Sequence, residues 1–450
     1  MAATDAQKSS AATVAALRAL EALRAGLPNR ESVLYLGTMQ DQVVDKYLAN
    51  LEFTKRRANW EPVEGVYDGL LLASGFGSGK SHLLEYLAQR ALQEHFVVSS
   101  VVISKETPLH NISAVYRAAI NDARVPGRPG AAINEIAMGL KTDPLRFAQL
   151  YRWLATDGRL VDHRLTATLR MFDQFGGGDE EFGGGDEEFD DKILQFWAGD
   201  TFAIAEIRKR LREAGWLGEY DIRSTREDAL CRDRLSFVSR LIAAASYSGW
   251  VILLDEVELI GRYSLLQRGR SYAEIAQWLQ GQDRDPNAPW TAVLTTVDDF
   301  ETEVLIARND LEKFPTRLSS VAQGAQQLVD SAKRGMELLR EGSMRLEPPT
   351  SDELDTTYRA IKSIHGEALD WVPPDVHGIE RLPSNRMRQY VRSWINEWGL
   401  VYLDPSYSPV TISTDVKVDL SAETQVDAEG YLSLEALGRG ALGIACEDSK

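Results

Sequence analysis

The chain has 450 residues, of which 44% are hydrophobic and 26% charged, and its formal net charge is −17. This composition is typical of a globular protein of two or three domains, and the negative charge excludes a uniformly basic nucleic-acid-binding protein. The two cysteines, Cys231 and Cys446, form no C-x-x-C pair, so neither a disulfide framework nor a zinc site is expected.

The N-terminal segment, residues 1–60, is predicted to be helical. It is too alanine-rich and too weakly apolar for a signal peptide. No apolar run in the chain reaches the roughly 20 residues that span a bilayer. We therefore expect a cytoplasmic protein without membrane contact.

The apolar face of the first helix is predicted from residues recurring every three positions, namely Val14, Leu17, Leu20 and Leu23.

Four short apolar runs predict the buried strands of a parallel sheet. They lie at residues 69–73, 99–104, 250–256 and 291–297. Residues 105–248, between the second and third strands, show helical spacing. A long helix is predicted over residues 319–340, and later helices follow it. Strands that alternate with helices predict an α/β fold with a parallel sheet.

An acidic, glycine-rich repeat interrupts the helical region. The unit FGGGDEE occurs twice in succession, beginning at Phe175. Its glycines disfavour regular structure and its acidic residues repel one another. We predict a flexible acidic loop over residues 175–191, and the alternative is an acidic tether for a partner.

The stretch ASGFGSGKS, residues 73–81, has the form of a phosphate-binding loop with serine at the first glycine position. Ser74 stands at the strand exit, where a small residue suffices. We predict that Lys80 reaches the β- and γ-phosphates of ATP and that the Ser81 hydroxyl holds Mg²⁺. His82 fits a helix-face role better than a ligand role, but it is kept as a candidate. The predicted nucleotide contacts are Gly75, Phe76, Gly77, Ser78, Gly79, Lys80, Ser81 and His82.

The run VILLDE predicts the second half of the site. Asp255 and Glu256 end a buried strand, at the edge where open α/β sheets bind ligands. Asp255 is predicted to hold Mg²⁺ through water, and Glu256 to polarise the attacking water. The next strand ends in Thr295 and Thr296, and Thr296 is the candidate for holding that water. The alternative is a strand-end threonine that bonds only to the backbone.

Arginines supply candidate positive charges. Arg386, Arg388 and Arg392 lie on a late helix that is predicted to act as a lid and to aim one arginine at the γ-phosphate. Arg317 is a candidate arginine finger toward a neighbouring subunit, which would make the protein a homo-oligomer. The alternative for each is an ordinary solvated side chain.

These motifs resemble a known family. The stretches GFGSGKSHLLEYL, VVISKETPL and ILLDEVE, with LRAGLPN near the start and RQYVR near the end, are similar to AAA+-type P-loop ATPases of bacterial phage defence. The most similar group is the BrxD family of BREX (bacteriophage exclusion) systems, which is distantly similar to the Orc/Cdc6 replication initiators. The resemblance implies ATP and Mg²⁺ as cofactors, a helical lid with Arg388 or Arg386 as its arginine, and partners that include other defence proteins, among them a helicase. It also implies that residues 27–29 lie near the adenine.

The motifs and the resemblance together divide the chain into predicted regions. We predict an N-terminal helical segment (1–60), an ATPase core (61–345) with a helical insertion (105–248), a helical lid (346–405) and a polar extension (406–450). The predicted function is an ATPase, slow on its own, that drives conformational or assembly changes in a BREX system. One alternative is an Orc/Cdc6-type DNA loader that uses the basic runs at residues 55–57 and 208–212. The other is a nucleotide-gated scaffold with little hydrolysis.

Overall fold

The structure is a computed structural model of the chain. It describes residues 2–63, 69–75, 77–128, 130–140, 142–156, 161–175, 187–281, 285, 287–319, 326–376 and 387–407. The acidic repeat, apart from its two ends, and the extension from residue 408 onward therefore lie outside the described residues. None of the helices in the described ranges is long and apolar enough to cross a membrane.

A parallel sheet forms the centre of the fold. Its strands, in chain order, are β1 (Leu70–Ala73), β2 (Val97–Val102), β3 (Trp250–Asp255), β4 (Trp290–Thr296) and β5 (Met344–Arg345). The spatial order is β2-β3-β4-β1-β5, and all neighbouring strands run parallel. The predicted α/β class is thus confirmed. Because β4 lies between β1 and β3, the carboxyl ends of these three strands meet at one edge of the sheet.

Helices precede, connect and follow the strands. Before β1 lie α1 (Ala2–Ala25), α2 (Arg30–Leu36) and α3 (Asp41–Ala58), and α4 (Lys80–Gln93) connects β1 to β2. Between β2 and β3 the described helices are α5 (Ile112–Asn121), α6 (Ala132–Gly139), α7 (Pro144–Thr156), α8 (His163–Phe175), α9 (Glu187–Ala198), α10 (Ile204–Glu213) and α11 (Glu227–Ala244). The later helices are α12 (Leu265–Gln280), α13 (Asp310–Ser319), α14 (Gln326–Glu341), α15 (Ser351–Leu369) and α16 (Met387–Leu403).

Both faces of the central strands β1, β3 and β4 are buried, which explains why β1 and β3 are almost entirely apolar. Successive side chains of a strand point to opposite faces. Leu70 and Leu72 pack in one cluster with α3 and α4, whereas Leu71 packs in a larger cluster with α5–α14. The sheet is therefore held rigidly between two helical layers, and its carboxyl edge is fixed in position.

A third hydrophobic cluster joins the two ends of the chain. Helix α1 packs against α15 and α16, and it contributes Ala16, Ala19, Leu20 and Leu23 to this cluster. The prediction that Val14 and Leu17 share this face is wrong, since they are 44% and 36% exposed. A repeat of three drifts around a helix of 3.6 residues per turn, so only part of the predicted series stays on the buried face.

Several predicted boundaries differ from the observed ones. The second strand begins two residues earlier than predicted, at Val97 rather than residue 99, and ends at Val102. The predicted helix over residues 319–340 is α14, which begins at Gln326, and α13 precedes it. Residues 187–191, predicted as part of the acidic loop, form the start of α9, where Glu187 and Glu188 favour a helix N-terminus.

Candidate functional site

The turn after β1 contains two glycines in the left-handed region of backbone space. Gly77 has a φ of 77° and Gly79 a φ of 104°, values that disfavour any residue with a Cβ. Gly79 is the N-cap of α4, and Lys80 is the first residue of the helix. The turn therefore ends at a helix N-terminus, where backbone N–H groups and the helix dipole attract anions. Phe76 of the predicted loop lies outside the described residues.

Ser74, the departure from the glycine pattern, is fixed by hydrogen bonds. Its side chain is buried, its backbone N–H donates to the Thr296 carbonyl of β4 at 3.2 Å, and its Oγ lies 2.5 Å from Ser78 Oγ. Ser78 Oγ donates to the Gly75 carbonyl at 2.6 Å. Since a hydroxyl has one proton, Ser74 is the donor to Ser78. Ser74 therefore contributes more than a small side chain, because its hydroxyl links the start of the loop to Ser78 within the loop.

Lys80 turns back toward the base of the loop. Its Nζ donates to the Ser74 carbonyl at 3.1 Å and lies 4.0 Å from Oε1 of Glu258. Both side chains of this ion pair are nearly buried, at 10% and 11% exposed. The ammonium group is therefore held beneath the glycine turn, next to a carboxylate of the β3 side of the site.

The end of β3 meets the start of α4 through Asp255. Ser81 Oγ donates to Asp255 Oδ2 at 3.1 Å, although the two residues are 174 positions apart. Thr295 Oγ1 and the Glu256 N–H both donate to Asp255 Oδ1, at 2.5 and 2.9 Å. The structure thus brings together Lys80, Ser81 and Asp255, which the sequence predicted to share a site.

The oxygen atoms of Ser81 and Asp255 fit a Mg²⁺ site. Mg²⁺ prefers oxygen ligands, keeps several waters and is commonly held by one or two protein groups plus substrate phosphates. A hydroxyl and a carboxylate in contact at the loop's helix meet this requirement. In the described part of the chain, no group of three or more His, Cys, Asp or Glu residues is arranged to hold a metal by itself.

The two threonines at the end of β4 have different surroundings. Thr295 bonds to Asp255, as above, while Thr296 is 2% exposed and pairs in register with Ala73 of β1. Among the described residues, no hydrogen-bond partner is found for the Thr296 hydroxyl. A buried hydroxyl without a partner is costly, so Thr296 offers a polar atom beside the loop that the fold itself does not use.

Glu256 stands at a sharp turn directly after β3. Its φ of 59° is left-handed, which is uncommon for a residue with a side chain and is typical of functional turns. The side chain is largely exposed at the edge of the sheet. Partial burial, followed by the nearby Asp255 charge, raises the pKa of the Glu256 carboxyl, while Lys80 and Arg262 oppose this shift.

Glu258 is a site residue that the sequence analysis missed. It lies in the 3₁₀ helix Val257–Arg262, and its Oε2 is buried without a hydrogen-bond partner in the described ranges. Burial raises the pKa of its carboxyl, and the Lys80 charge acts in the opposite direction. The sequence does show Glu258 as the third acidic residue of DEVE. It does not show the left-handed turn at Glu256, after which Glu258 lies next to Lys80.

The start of α16 contacts the loop. The Arg388 N–H donates to the Gly77 carbonyl at 3.4 Å, and a Cβ on Gly26 would lie 3.6 Å from Arg388 Nε. Arg392 instead donates to the carbonyls of Arg24 and Ala25 at the end of α1. Arg388 therefore lies beside the loop. Gly26, just before the predicted adenine segment 27–29, lies next to the Arg388 side chain.

The remaining candidates lie elsewhere or are otherwise engaged. His82 Nε2 lies 2.8 Å from the Gly37 carbonyl, which links α4 to the end of α2, and burial lowers its pKa. Arg317 is exposed on α13, a helix that packs against α12 and α14. Arg386 lies outside the described residues. The hydrogen bond that we observe for His82 thus joins α4 to the end of α2 rather than to the loop.

The two basic runs considered for DNA contact have partners within the protein. In the first run, Lys55 pairs with Glu94, Arg56 with Glu61, and the buried Arg57 lies over the Phe53 ring. In the second run, Arg208 donates to the Ile222 carbonyl, Lys209 pairs with Glu213, and Arg210 lies over the Phe189 ring. Most side chains of the two runs therefore already have a partner within the protein.

A parallel sheet whose first strand leads into a glycine turn and a helix, with a neighbouring strand's carboxylate beside it, is consistent with a P-loop fold. The family model described as BREX system ATP-binding protein BrxC/D matches residues 64–139. This match confirms the resemblance to a BREX BrxC/D-type protein, and the family's description implies ATP binding. No curated protein and no solved structure matches the chain.

The matched segment includes β1, the loop, α4, β2, α5 and α6. It does not reach Asp255 at the end of β3, Glu256 directly after it, or the helices after β5. The contact between Ser81 and Asp255 therefore extends the site beyond the matched segment.

Proposed function

We propose that the protein is an AAA+-type ATPase of a BREX defence system, which binds ATP and Mg²⁺ at the glycine turn and hydrolyses ATP. The observation that carries this proposal is the hydrogen bond between Ser81 and Asp255. This bond links the helix of the phosphate loop to the carboxylate at the end of β3. A loop that only bound nucleotide would not need such a carboxylate beside it. The family match to a BREX ATP-binding protein supports the cellular role.

In this proposal the loop binds and orients the phosphates. Backbone N–H groups of the glycine turn and of the first turn of α4 would face the phosphate oxygens, and Lys80 would supply positive charge to the β- and γ-phosphates. The N-terminus of α4 adds its dipole. Ser81 and Asp255 would hold Mg²⁺, which neutralises phosphate charge when bound.

Hydrolysis then requires a positioned water and a stabilised leaving group. Glu256 would accept a hydrogen bond from the attacking water, and the Thr296 hydroxyl, which has no partner in the described fold, would hold that water from the other side. Arg388 would approach the γ-phosphate from α16. The contact between Arg388 and Gly77 supports a lid that senses the loop.

The proposed output is a change in conformation or assembly with other proteins of the defence system. Helix α1 packs with α15 and α16, and Gly26 borders Arg388. A nucleotide that draws Arg388 toward its phosphates would thus act on the whole third cluster. No specific observation favours DNA loading, because the candidate basic runs have internal partners, and none favours a scaffold without hydrolysis.

Binding of labelled ATP by the wild type and by Lys80→Ala tests the site. We expect the dissociation constant to rise roughly 100-fold or more in the variant, because a nearly buried ammonium next to phosphate contributes a few kcal/mol. Lys333→Ala, an exposed lysine of α14, is the control and should bind like the wild type. Equal binding by Lys80→Ala would reject the phosphate-loop assignment.

The output is tested by measuring molecular mass with and without ATP, alone and with other BREX proteins. We expect a species that changes mass with ATP in the presence of at least one partner. Unchanged mass distributions in all mixtures would reject an assembly role and leave only a conformational one.

A further inference from the structure

The nearly buried pair of Lys80 and Glu258 has a consequence for nucleotide affinity. Oε1 of Glu258 lies 4.0 Å from the lysine Nζ, and the other oxygen is buried with no hydrogen-bond partner among the described residues. The lysine that is proposed to receive phosphate charge thus faces a protein carboxylate with one uncommitted oxygen.

The position of Glu258 is fixed by its neighbours. The left-handed turn at Glu256 redirects the chain after β3, and the 3₁₀ helix that follows buries Val257 and Ile260 completely in the core. These contacts hold the backbone on both sides of Glu258, and its carboxylate lies beside Lys80 in the structure.

We propose that Glu258 is a positioning residue for Lys80 that also limits the affinity for ATP. Glu258 holds the ammonium beneath the loop, and its negative charge opposes the negative charge of the triphosphate at close range. Affinity limited in this way favours release and exchange of nucleotide. This inference rests on the proposed function of the site.

The test is the dissociation constant for a non-hydrolysable ATP analogue, measured with Mg²⁺ for the wild type and Glu258→Gln. The amide keeps the size of the side chain and removes its charge. We expect binding to become at least about 5-fold tighter, a gain that misfolding cannot produce. Unchanged or weaker binding would overturn the inference.

A matched control removes a similar charge elsewhere. Glu135 on α6 is 17% exposed and pairs with Arg128, and the end of α6 packs on Ala245, just before β3 begins. Glu135→Gln should leave the dissociation constant unchanged. If it tightens binding equally, the effect is one of net charge and the inference fails. If the wild type does not bind the analogue at all, the proposed function fails; if it binds but Glu258→Gln does not tighten binding, only the role of Glu258 fails.

A thermal-stability cycle tests whether Glu258 acts through Lys80. Lys80→Ala should lower the melting temperature, because it leaves the Glu258 charge buried without its cation. Adding Glu258→Gln should restore most of that loss, whereas two uncoupled residues would give additive changes. Additive changes would show that the two side chains do not form the pair on which the inference depends.

Discussion

Replacing Ser74 with glycine restores the first glycine of the phosphate-loop pattern, yet we expect it to weaken both the loop and nucleotide binding. The variant loses the hydrogen bond from Ser74 to Ser78, which anchors a side chain that itself bonds to the Gly75 carbonyl. The native Ser74 is not in the left-handed region that would favour glycine. Glycine therefore brings only added freedom to the unfolded chain and to the loop.

The magnitude follows from these two losses. A net hydrogen bond contributes about 1 kcal/mol, and the extra freedom of glycine costs about 0.4–1 kcal/mol. The free energy of unfolding should therefore fall by about 1.5–2 kcal/mol. If the loop carries this loss fully into binding, the dissociation constant for ATP rises by about 10- to 30-fold, since 1.4 kcal/mol is one factor of ten.

The assay combines denaturant unfolding with ATP-binding titration for the wild type, Ser74→Gly and Ser74→Ala. Alanine removes the hydroxyl but keeps the Cβ, so it should lose only the hydrogen-bond part, about 1 kcal/mol. Adding Ser78→Ala to Ser74→Ala should cost only what the bond from Ser78 to the Gly75 carbonyl contributes, about 1 kcal/mol, because the bond between the two serines is already lost. If Ser74→Gly binds ATP as tightly as the wild type and is equally stable, the position requires only smallness and our interpretation of the bond is refuted.

Three further predictions concern other parts of the molecule. Thr296→Val should leave the melting temperature unchanged or slightly higher, because it removes a buried hydroxyl without a described partner, while ATP turnover falls roughly 10-fold or more; equal turnover would exclude Thr296 from the site. Asp310→Ala should cost about 3–5 kcal/mol of unfolding free energy, since it strands the buried Arg268, whose guanidinium makes two 2.6 Å bonds to Asp310; a loss under about 1 kcal/mol would contradict this. Burial lowers the pKa of His365 from 6.5 to about 4. As pH falls, this histidine therefore takes up a proton in the unfolded chain before it does so in the folded protein, and stability is lost between about pH 6.5 and pH 4. His365→Gln should flatten the fall of melting temperature over that pH range, and an unchanged slope would argue against it.

Much of the sheet could be predicted because its strands are buried on both faces. Runs such as LLLA and WVILLD have no polar face, which distinguishes them from the amphipathic helices around them. The glycines of the loop and the carboxylates after β3 are likewise local signals. The meeting of Ser81 and Asp255 could be predicted because carboxyl ends of parallel strands share one edge.

Other features depend on contacts between distant segments. Nothing local indicates that α1 packs with α15 and α16, and a repeat of three misplaced Val14 on its buried face. The bond from Thr295 to Asp255 depends on β4 lying next to β3. The position of Glu258 beside Lys80 depends on the left-handed backbone of Glu256. The sequence does not predict this conformation, because it is uncommon for glutamate.

The hydroxyl of Ser74 shows a further limit of motif comparison. A pattern records which residues are tolerated at a position, so serine for glycine appeared as a small deviation. The tertiary structure gives that hydroxyl a partner four residues along, within the same turn. The departure from the motif is therefore a local structural device rather than a defect.

The central claim is that this site hydrolyses ATP with Asp255 and Glu256 opposite the loop. The most direct measurement is Mg²⁺-dependent phosphate release by purified protein, alone and with proteins of a BREX system, for the wild type, Glu256→Gln and the control Glu341→Gln, an exposed residue at the end of α14. We predict release by the wild type and the control, and at least a roughly 100-fold loss in Glu256→Gln with ATP binding retained. Equal release by the wild type and Glu256→Gln, or none from the wild type in any mixture, would contradict the account.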